Sequence, residues 1–121
     1  MRLFFKKNER IPKNDEVRDC IWKGRRFQSI ETNLYCRANS LKRTRFAISA
    51  AKKLGKAHER VRIKRLYREA FRLNKHLLSP GFDIVVKPKT YSDSYKYKDA
   101  EKVFLGLCGK AAILKSSKTI K

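Results

Sequence analysis

Two histidines, three cysteines and a dense run of cations are the side chains here with chemistry to offer. Paired histidines can act as acid and base in phosphodiester cleavage. His58 and His76 are five helical turns apart, about 27 Å along one helix, and no single phosphate bridges that distance. The 11 carboxylates are scattered, without a tight Asp/Glu cluster suited to Mg²⁺. Cys20, Cys36 and Cys108 are odd in number, and neither Cys-x-x-Cys spacing nor paired histidine ligands accompany them. They read as buried or inert thiols of a reducing compartment. The sequence therefore predicts no catalytic constellation and no metal site on the polypeptide.

What remains is charge. The chain carries 32 Lys and Arg against 11 Asp and Glu, a formal charge of +21. Self-repulsion opposes compaction, a polyanion relieves it, and nucleic acid is the first candidate. An acidic membrane surface is second, but no long apolar run or lipidation signal supports it. The cations concentrate between Lys52 and Arg72. There Ile63, Leu66, Tyr67, Ala70, Phe71 and Leu73 recur at helical spacing. On a helical wheel these residues lie within about 80° of Ile63, whereas Lys64, Arg65, Arg68, Arg72 and Lys75 fall between about 100° and 200°. One helix thus buries an apolar stripe and offers a cationic one. Arg60 and Arg62 lie near its start, after a basic loop holding Gly55. Unpaired backbone N–H groups and the helix dipole favour an anion there. A solvated helix face would show a similar pattern in a neutral protein, but the charge excess favours phosphate binding.

Positioning these cations requires a folded frame. The length suits one domain, and a hydrophobic content of 41% supplies a core rather than a disordered tail. Residues 1–12 read as a basic lead-in, with too short an apolar stretch for a signal peptide, which points to the cytoplasm. Asn14 reads as the N-cap of a first helix reaching Gly24, with Val17, Cys20 and Ile21 on its apolar face. Leu34-Tyr35-Cys36 has strand character, and 38–43 reads as a turn. Alternation predicts a strand over 45–50, followed by the long helix from His58 to Leu78. Phe82 to Lys87 is a strand stopped by Pro88, and 90–94 is a polar loop. Ala100, Val103, Phe104 and Leu107 mark a last helix, and 116–121 a frayed tail. The expectation is one α+β domain over 1–121, with helices covering one face of a small sheet. The long helix is a crossover if the strands at 45–50 and 82–87 are parallel neighbours.

One stretch also resembles a known family. It runs Ser49-Ala50-Ala51-Lys52-Lys53-Leu54-Gly55-Lys56-Ala57, then Arg60-Val61-Arg62-Ile63-Lys64-Arg65-Leu66-Tyr67-Arg68-Glu69-Ala70-Phe71-Arg72. It is similar to the protein subunit of bacterial ribonuclease P. That family carries Ser-x-x-Lys-Lys-hydrophobic-Gly-x-Ala and then Arg-Asn-Arg-hydrophobic-Lys-Arg-hydrophobic-x-Arg-Glu-Ala-Phe-Arg. Weaker similarity covers Asn14 to Gly24, Tyr35, and Tyr97 to Leu107. The resemblance implies an α+β sandwich in the order α-β-β-β-α-β-α with a left-handed βαβ crossover, where general connection rules give a right-handed one.

The resemblance also implies a subunit that binds a large catalytic RNA. That complex would remove the 5′ leader of precursor tRNA by hydrolysis, with Mg²⁺ held by the RNA. Carried over by position, Arg60, Arg62, Lys64, Arg65 and Arg68 would face the catalytic RNA, with Lys52, Lys53 and Lys56 beside them. Tyr35 and Ser49 would line a cleft for the single-stranded leader. Two departures matter. The family's Asn between the two arginines is Val61 here, and the Phe positions of the first helix that touch the leader are Val17 and Ile21. Aliphatic side chains stack on bases less well than rings. Trp22 is adjacent but lies about 100° round the helix from Ile21. The implied partners are the catalytic RNA and precursor tRNA, with no membrane and no DNA. A general basic RNA-binding or ribosomal protein would show the same charge. A helix-turn-helix DNA reader would need a short partner helix before the long one, where a strand is expected.

Overall fold

Strict alternation builds the sheet, and helical spacing builds its cover. The structure is a computed structural model and describes residues 7–115. The first six residues of the lead-in and the tail at 116–121 lie outside the described residues. In chain order the elements are α1 (Asn14–Lys23), β1 (Arg25–Gln28), β2 (Thr32–Ala38), β3 (Arg45–Ile48), α2 (Ala57–Asn74), β4 (Phe82–Pro88) and α3 (Tyr97–Lys110). Short 3-10 turns occupy Lys7–Glu9, Lys52–Leu54 and Lys75–Leu77. Asn14 is the first helical residue of α1 rather than its cap, a position held by Lys13. The long helix stops at Asn74, four residues before Leu78. There the Asn74 side chain donates to the Ala70 carbonyl at 2.9 Å and to Glu101 of α3 at 3.0 Å. The chain then tightens into the 3-10 turn.

The sheet order is β1-β2-β4-β3. β2 pairs antiparallel with both β1 and β4. β3 and β4 are parallel, with Phe46 opposite Ile84 and Ile48 opposite Val86, so α2 does cross over between parallel neighbours.

One face of the sheet carries the main core. Leu34, Cys36, Phe46, Ile84 and Val86 meet Ile63, Tyr67, Ala70 and Phe71 of α2 and Ala100, Phe104, Leu107 and Cys108 of α3. Phe46 and Phe71 stack at 4.8 Å between ring centroids, and Phe104 stands edge-on to both. The Tyr67 hydroxyl, unfavourable if buried alone, is paired with Thr32 at 2.6 Å and with Tyr95 at 2.7 Å.

The helices do not all cover that face. α1 lies on the other, where Cys20 packs with Ile11, Tyr35 and Val85, and Val17, Ile21 and Ala47 adjoin them. Alternation explains the split, because Tyr35, Val85 and Ala47 point opposite to Leu34, Ile84 and Phe46. A polar tie completes the attachment. Arg45 donates Nε and Nη2 to the two oxygens of Asp83 at 2.9 and 2.8 Å, and Nη2 also to Glu16 of α1 at 2.9 Å. Asn39 adds a bond to Asp83 at 2.8 Å. Burial alone would raise the Asp83 pKa, but the hydrogen bonds from Arg45 and Asn39 and the charges of Arg45 and Arg37 hold it below the ordinary range. All three cysteines are free and buried. Burial is the main force pushing the Cys20 thiol up to about 12 and Cys36 to about 11.

Phe71→Ala leaves a hole between Phe46 and Phe104 and should cost about 3–5 kcal/mol in urea unfolding; a loss of under about 1 kcal/mol would contradict this packing. Asp83 gives a pH signature. Its folded pKa lies below the unfolded value of about 3.9. Its stabilisation is therefore complete above about pH 4 and is lost as pH falls through the folded value. Asp83→Asn should destabilise at neutral pH and remove part of the acid sensitivity. An unchanged dependence of unfolding on pH below about 4 would exclude Asp83 as its source.

Candidate nucleic-acid interface

The cationic stripe begins in the loop before α2. Glu59 folds back so that Oε1 accepts the Lys56 backbone N–H at 2.7 Å, capping the first turn. A Cβ on Gly55 would come within 2.4 Å of that same carboxylate oxygen, so glycine lets the loop close against it. Arg60 returns from the helix to donate to the Gly55 carbonyl at 3.2 Å. Arg62 reaches Tyr91 of the loop before α3, with Nη1 at 3.3 Å from its hydroxyl and the guanidinium 6.0 Å from its ring centre. Two arginines of the expected set thus brace the start of α2 while keeping their charge.

The other cations behave differently. Arg65 and Arg68 are exposed and Lys64 half-buried, and none makes a hydrogen bond or ion pair among the described residues. Lys52, Lys53 and Lys56 are exposed beside them. Val61, 51% exposed, lies on the same side. Further along, Arg72 pairs with Glu69, and Lys75 pairs with Glu9 at 2.8 Å. The unpaired charge therefore sits on the first two-thirds of α2, up to Arg68, not along all of it.

The second face of the sheet is only partly roofed by α1, and a cleft results. A cavity of about 210 Å³ opens between α1 and β3, lined by Arg10, Asn14, Val17, Ala47 and Arg68 among others. A second, of about 390 Å³, is lined by Asn33, Tyr35, Lys53, Leu54, Lys87 and Lys89 among others. Val17 borders the first cavity and Tyr35 the second, while Ile21 lines neither and packs in the same apolar cluster around Cys20. Tyr35 is only 9% exposed and acts as floor rather than as a free stacking platform. Ser49 is tied by its backbone N–H to the Val86 carbonyl at 2.9 Å and lines neither cavity. Arg68 borders the first cavity and Lys53 the second, so the cationic stripe and the cleft are continuous.

Sequence reasoning missed several cleft residues. Asn33 and Lys87 line it, and the register places Arg26 opposite Tyr35 and Gln28 opposite Asn33. Stepping by two from Tyr35 and Val85 would have found Asn33 and Lys87. The Asn33 Oδ1 is buried with no hydrogen-bond partner among the described residues. Such an acceptor is stabilised by any donor that enters.

Elsewhere the chemistry is weaker. A cavity of about 610 Å³ lies beside α3, and its charged lining of Glu31, Asp99, Lys102 and Lys110 cancels. His58 and His76 are exposed near opposite ends of the long helical segment. No group of three His, Cys, Asp or Glu among the described residues could hold a metal. No helix among them is long and apolar enough to cross a membrane.

Comparison with known proteins gives a consistent result. Residues 5–112 match the family model described as Ribonuclease P. The ribonuclease P protein component of Clostridium acetobutylicum is 36% identical over 110 residues, covering 89% of this chain and 92% of the relative. That of Finegoldia magna is 37% identical over 112 residues, covering 93% and 98%. Among solved structures, the Staphylococcus aureus RNase P protein superposes with a TM-score of 0.78 at 26% identity, covering 88% of this chain and 97% of that one. The Thermotoga maritima protein gives 0.76 at 28% identity, covering 84% and 96%.

If the unpaired cations meet phosphates, Arg65→Ala and Arg68→Ala should each lower the slope of log affinity against log salt for a bacterial ribonuclease P RNA by about 0.7–0.9. Arg72→Ala, which removes a charge already paired with Glu69, should change it far less. Equal slopes for all three variants would remove the first two-thirds of α2 from the interface.

Proposed function

This chain belongs to the ribonuclease P protein family, and we propose that it is the RNA-binding subunit of a ribonucleoprotein that removes the 5′ leader from precursor tRNA. Arg60, Arg62, Lys64, Arg65 and Arg68, with Lys52, Lys53 and Lys56, neutralise phosphates of the catalytic RNA. The cleft edged by Val17, Tyr35, Asn33 and Lys87 receives the single-stranded leader, with Ile21 and Ser49 at its margin. The observation that carries the reading is the continuity of the two surfaces: Arg68 is at once an unpaired cation of α2 and part of the wall between α1 and β3. One RNA chain can therefore lie in the cleft while its neighbour docks on the helix.

The polypeptide's contribution is binding, not bond breaking. The catalytic RNA carries the chemistry and holds the Mg²⁺. Binding energy on the leader, which does not react, positions the phosphate that does. The cleft's aliphatic wall grips bases through apolar contact rather than through paired ring stacking, and Lys87 and Lys89 hold the strand's phosphates. The complex works in the cytoplasm.

Leader recognition gives the direct test. The holoenzyme, reconstituted with a bacterial catalytic RNA, should bind precursor tRNA about tenfold or more tightly than mature tRNA, and the RNA alone should discriminate less. If the complex binds both equally, the chain is a general RNA binder and the leader role is wrong.

A further inference from the structure

Trp22 is 86% exposed, a large apolar ring left in water on the surface of a highly charged protein. Its direction follows from the wheel of α1. With Val17 at zero, Cys20 and Ile21 lie at about −60° and +40°, against the sheet. Glu16 lies at about −100°, on the side where it meets Arg45 near Asp83. Asn14, Arg18 and Trp22 lie at about 60°, 100° and 140°, on the opposite side. That is the cleft side, because Asn14 and Val17 line the cavity against β3. Trp22 therefore stands on the outer shoulder of α1, one residue beyond Ile21, on the side of the helix turned toward the cleft. Arg18 shares that shoulder one turn earlier, and Arg26 rises from β1 opposite Tyr35. Both arginines are exposed. The carboxylates of Asp15 and Asp19 fall further round, at about 160° and 200°, so a polyanion is favoured on the Arg18 and Arg26 side.

An exposed indole one helical turn from the Arg18 guanidinium, with exposed Arg26 on the same face of the sheet as α1, suits a single-stranded nucleic acid: the ring stacks on an unpaired base, and the arginines attract the adjacent phosphates. Resting on the leader reading above, we propose that Trp22 is an outer stacking position for a base of the leader where the strand leaves the cleft. It lies outside the cleft wall, on a different face of α1 from Val17 and Ile21. Here the aromatic contact stands at the rim, and the wall beneath it is aliphatic.

Trp22 is the chain's single tryptophan, so its fluorescence reports on this position alone. The test uses the holoenzyme reconstituted with a bacterial catalytic RNA. Adding leader-bearing precursor tRNA should quench the fluorescence, and adding mature tRNA should not. Trp22→Ala should weaken precursor binding about fivefold to hundredfold, as loss of one stacked base does. It should leave mature tRNA affinity and the melting temperature unchanged, and Trp22→Phe should restore most of the loss. Wild-type precursor affinity in Trp22→Ala would overturn the proposal. So would full quenching by the catalytic RNA alone, which would put Trp22 in that interface instead. If wild type prefers precursor and Trp22→Ala keeps that preference, only the stacking role fails. If wild type shows no preference, the leader reading fails with it.

Discussion

Arg45 and Asp83 join the parallel strands β3 and β4 by two hydrogen bonds, and Glu16 reaches from α1 to the same guanidinium. The rest of the second face depends on that tie. The apolar contact beneath α1 is small, built from Cys20, Tyr35, Val85 and Ile11 with Val17, Ile21 and Ala47 at its edge. An ion pair at one end and a short apolar seam hold α1 at a fixed place. The remainder of the sheet, around Asn33 and Lys87, stays open. A wider apolar stripe on α1 would have closed the cleft. Breaking a buried pair of this kind leaves an uncompensated charge, a loss of about 3–5 kcal/mol, so the cleft's wall is coupled to global stability.

The same economy governs the carboxylates of a chain carrying +21. Glu59 and Asp99 cap helices. Glu69 and Glu9 neutralise Arg72 and Lys75. Glu101 takes hydrogen bonds from Asn74 and Tyr97 where α2 meets α3. Hardly any acid faces the first two-thirds of α2, where Lys64, Arg65 and Arg68 remain without partners among the described residues. Electrostatic repulsion is thus relieved where the fold needs it and left in place where a polyanion can relieve it.

What was legible in the sequence follows from pattern strength. α2 carries an apolar stripe and a cationic stripe over five turns, so its start, its core residues and its charged side could be read directly, whereas its end at Asn74 could not, because the apolar spacing continues to Leu77. β3 alternates and β4 is a continuous β-rich run buried on both faces and stopped by Pro88, so both strands were visible; the helix between them allowed the parallel pairing that the register shows. β1 was not locatable, because a four-residue edge strand with only Phe27 turned inward has no visible period. The face chosen by α1 was misread, since a three-residue apolar patch does not say which side of a sheet it covers. The partnership of Arg62 with Tyr91 spans 29 residues and leaves no local trace. Asn33 and Lys87 are single polar residues whose types announce no site, although alternation from Tyr35 and Val85 points to both. The roles proposed for Tyr35 and Ser49 rest on the likeness to ribonuclease P proteins, because their residue types do not specify one.

The central claim is that this polypeptide binds and positions RNA while another molecule performs the cleavage. The most direct test is cleavage of a leader-bearing precursor tRNA in Mg²⁺ at near-physiological salt, assayed with the protein alone, a bacterial catalytic RNA alone, and the two together. Efficient cutting at the leader junction by the mixture only is the expected result. Cleavage by the protein alone would contradict the account, and so would a mixture no faster than the RNA by itself.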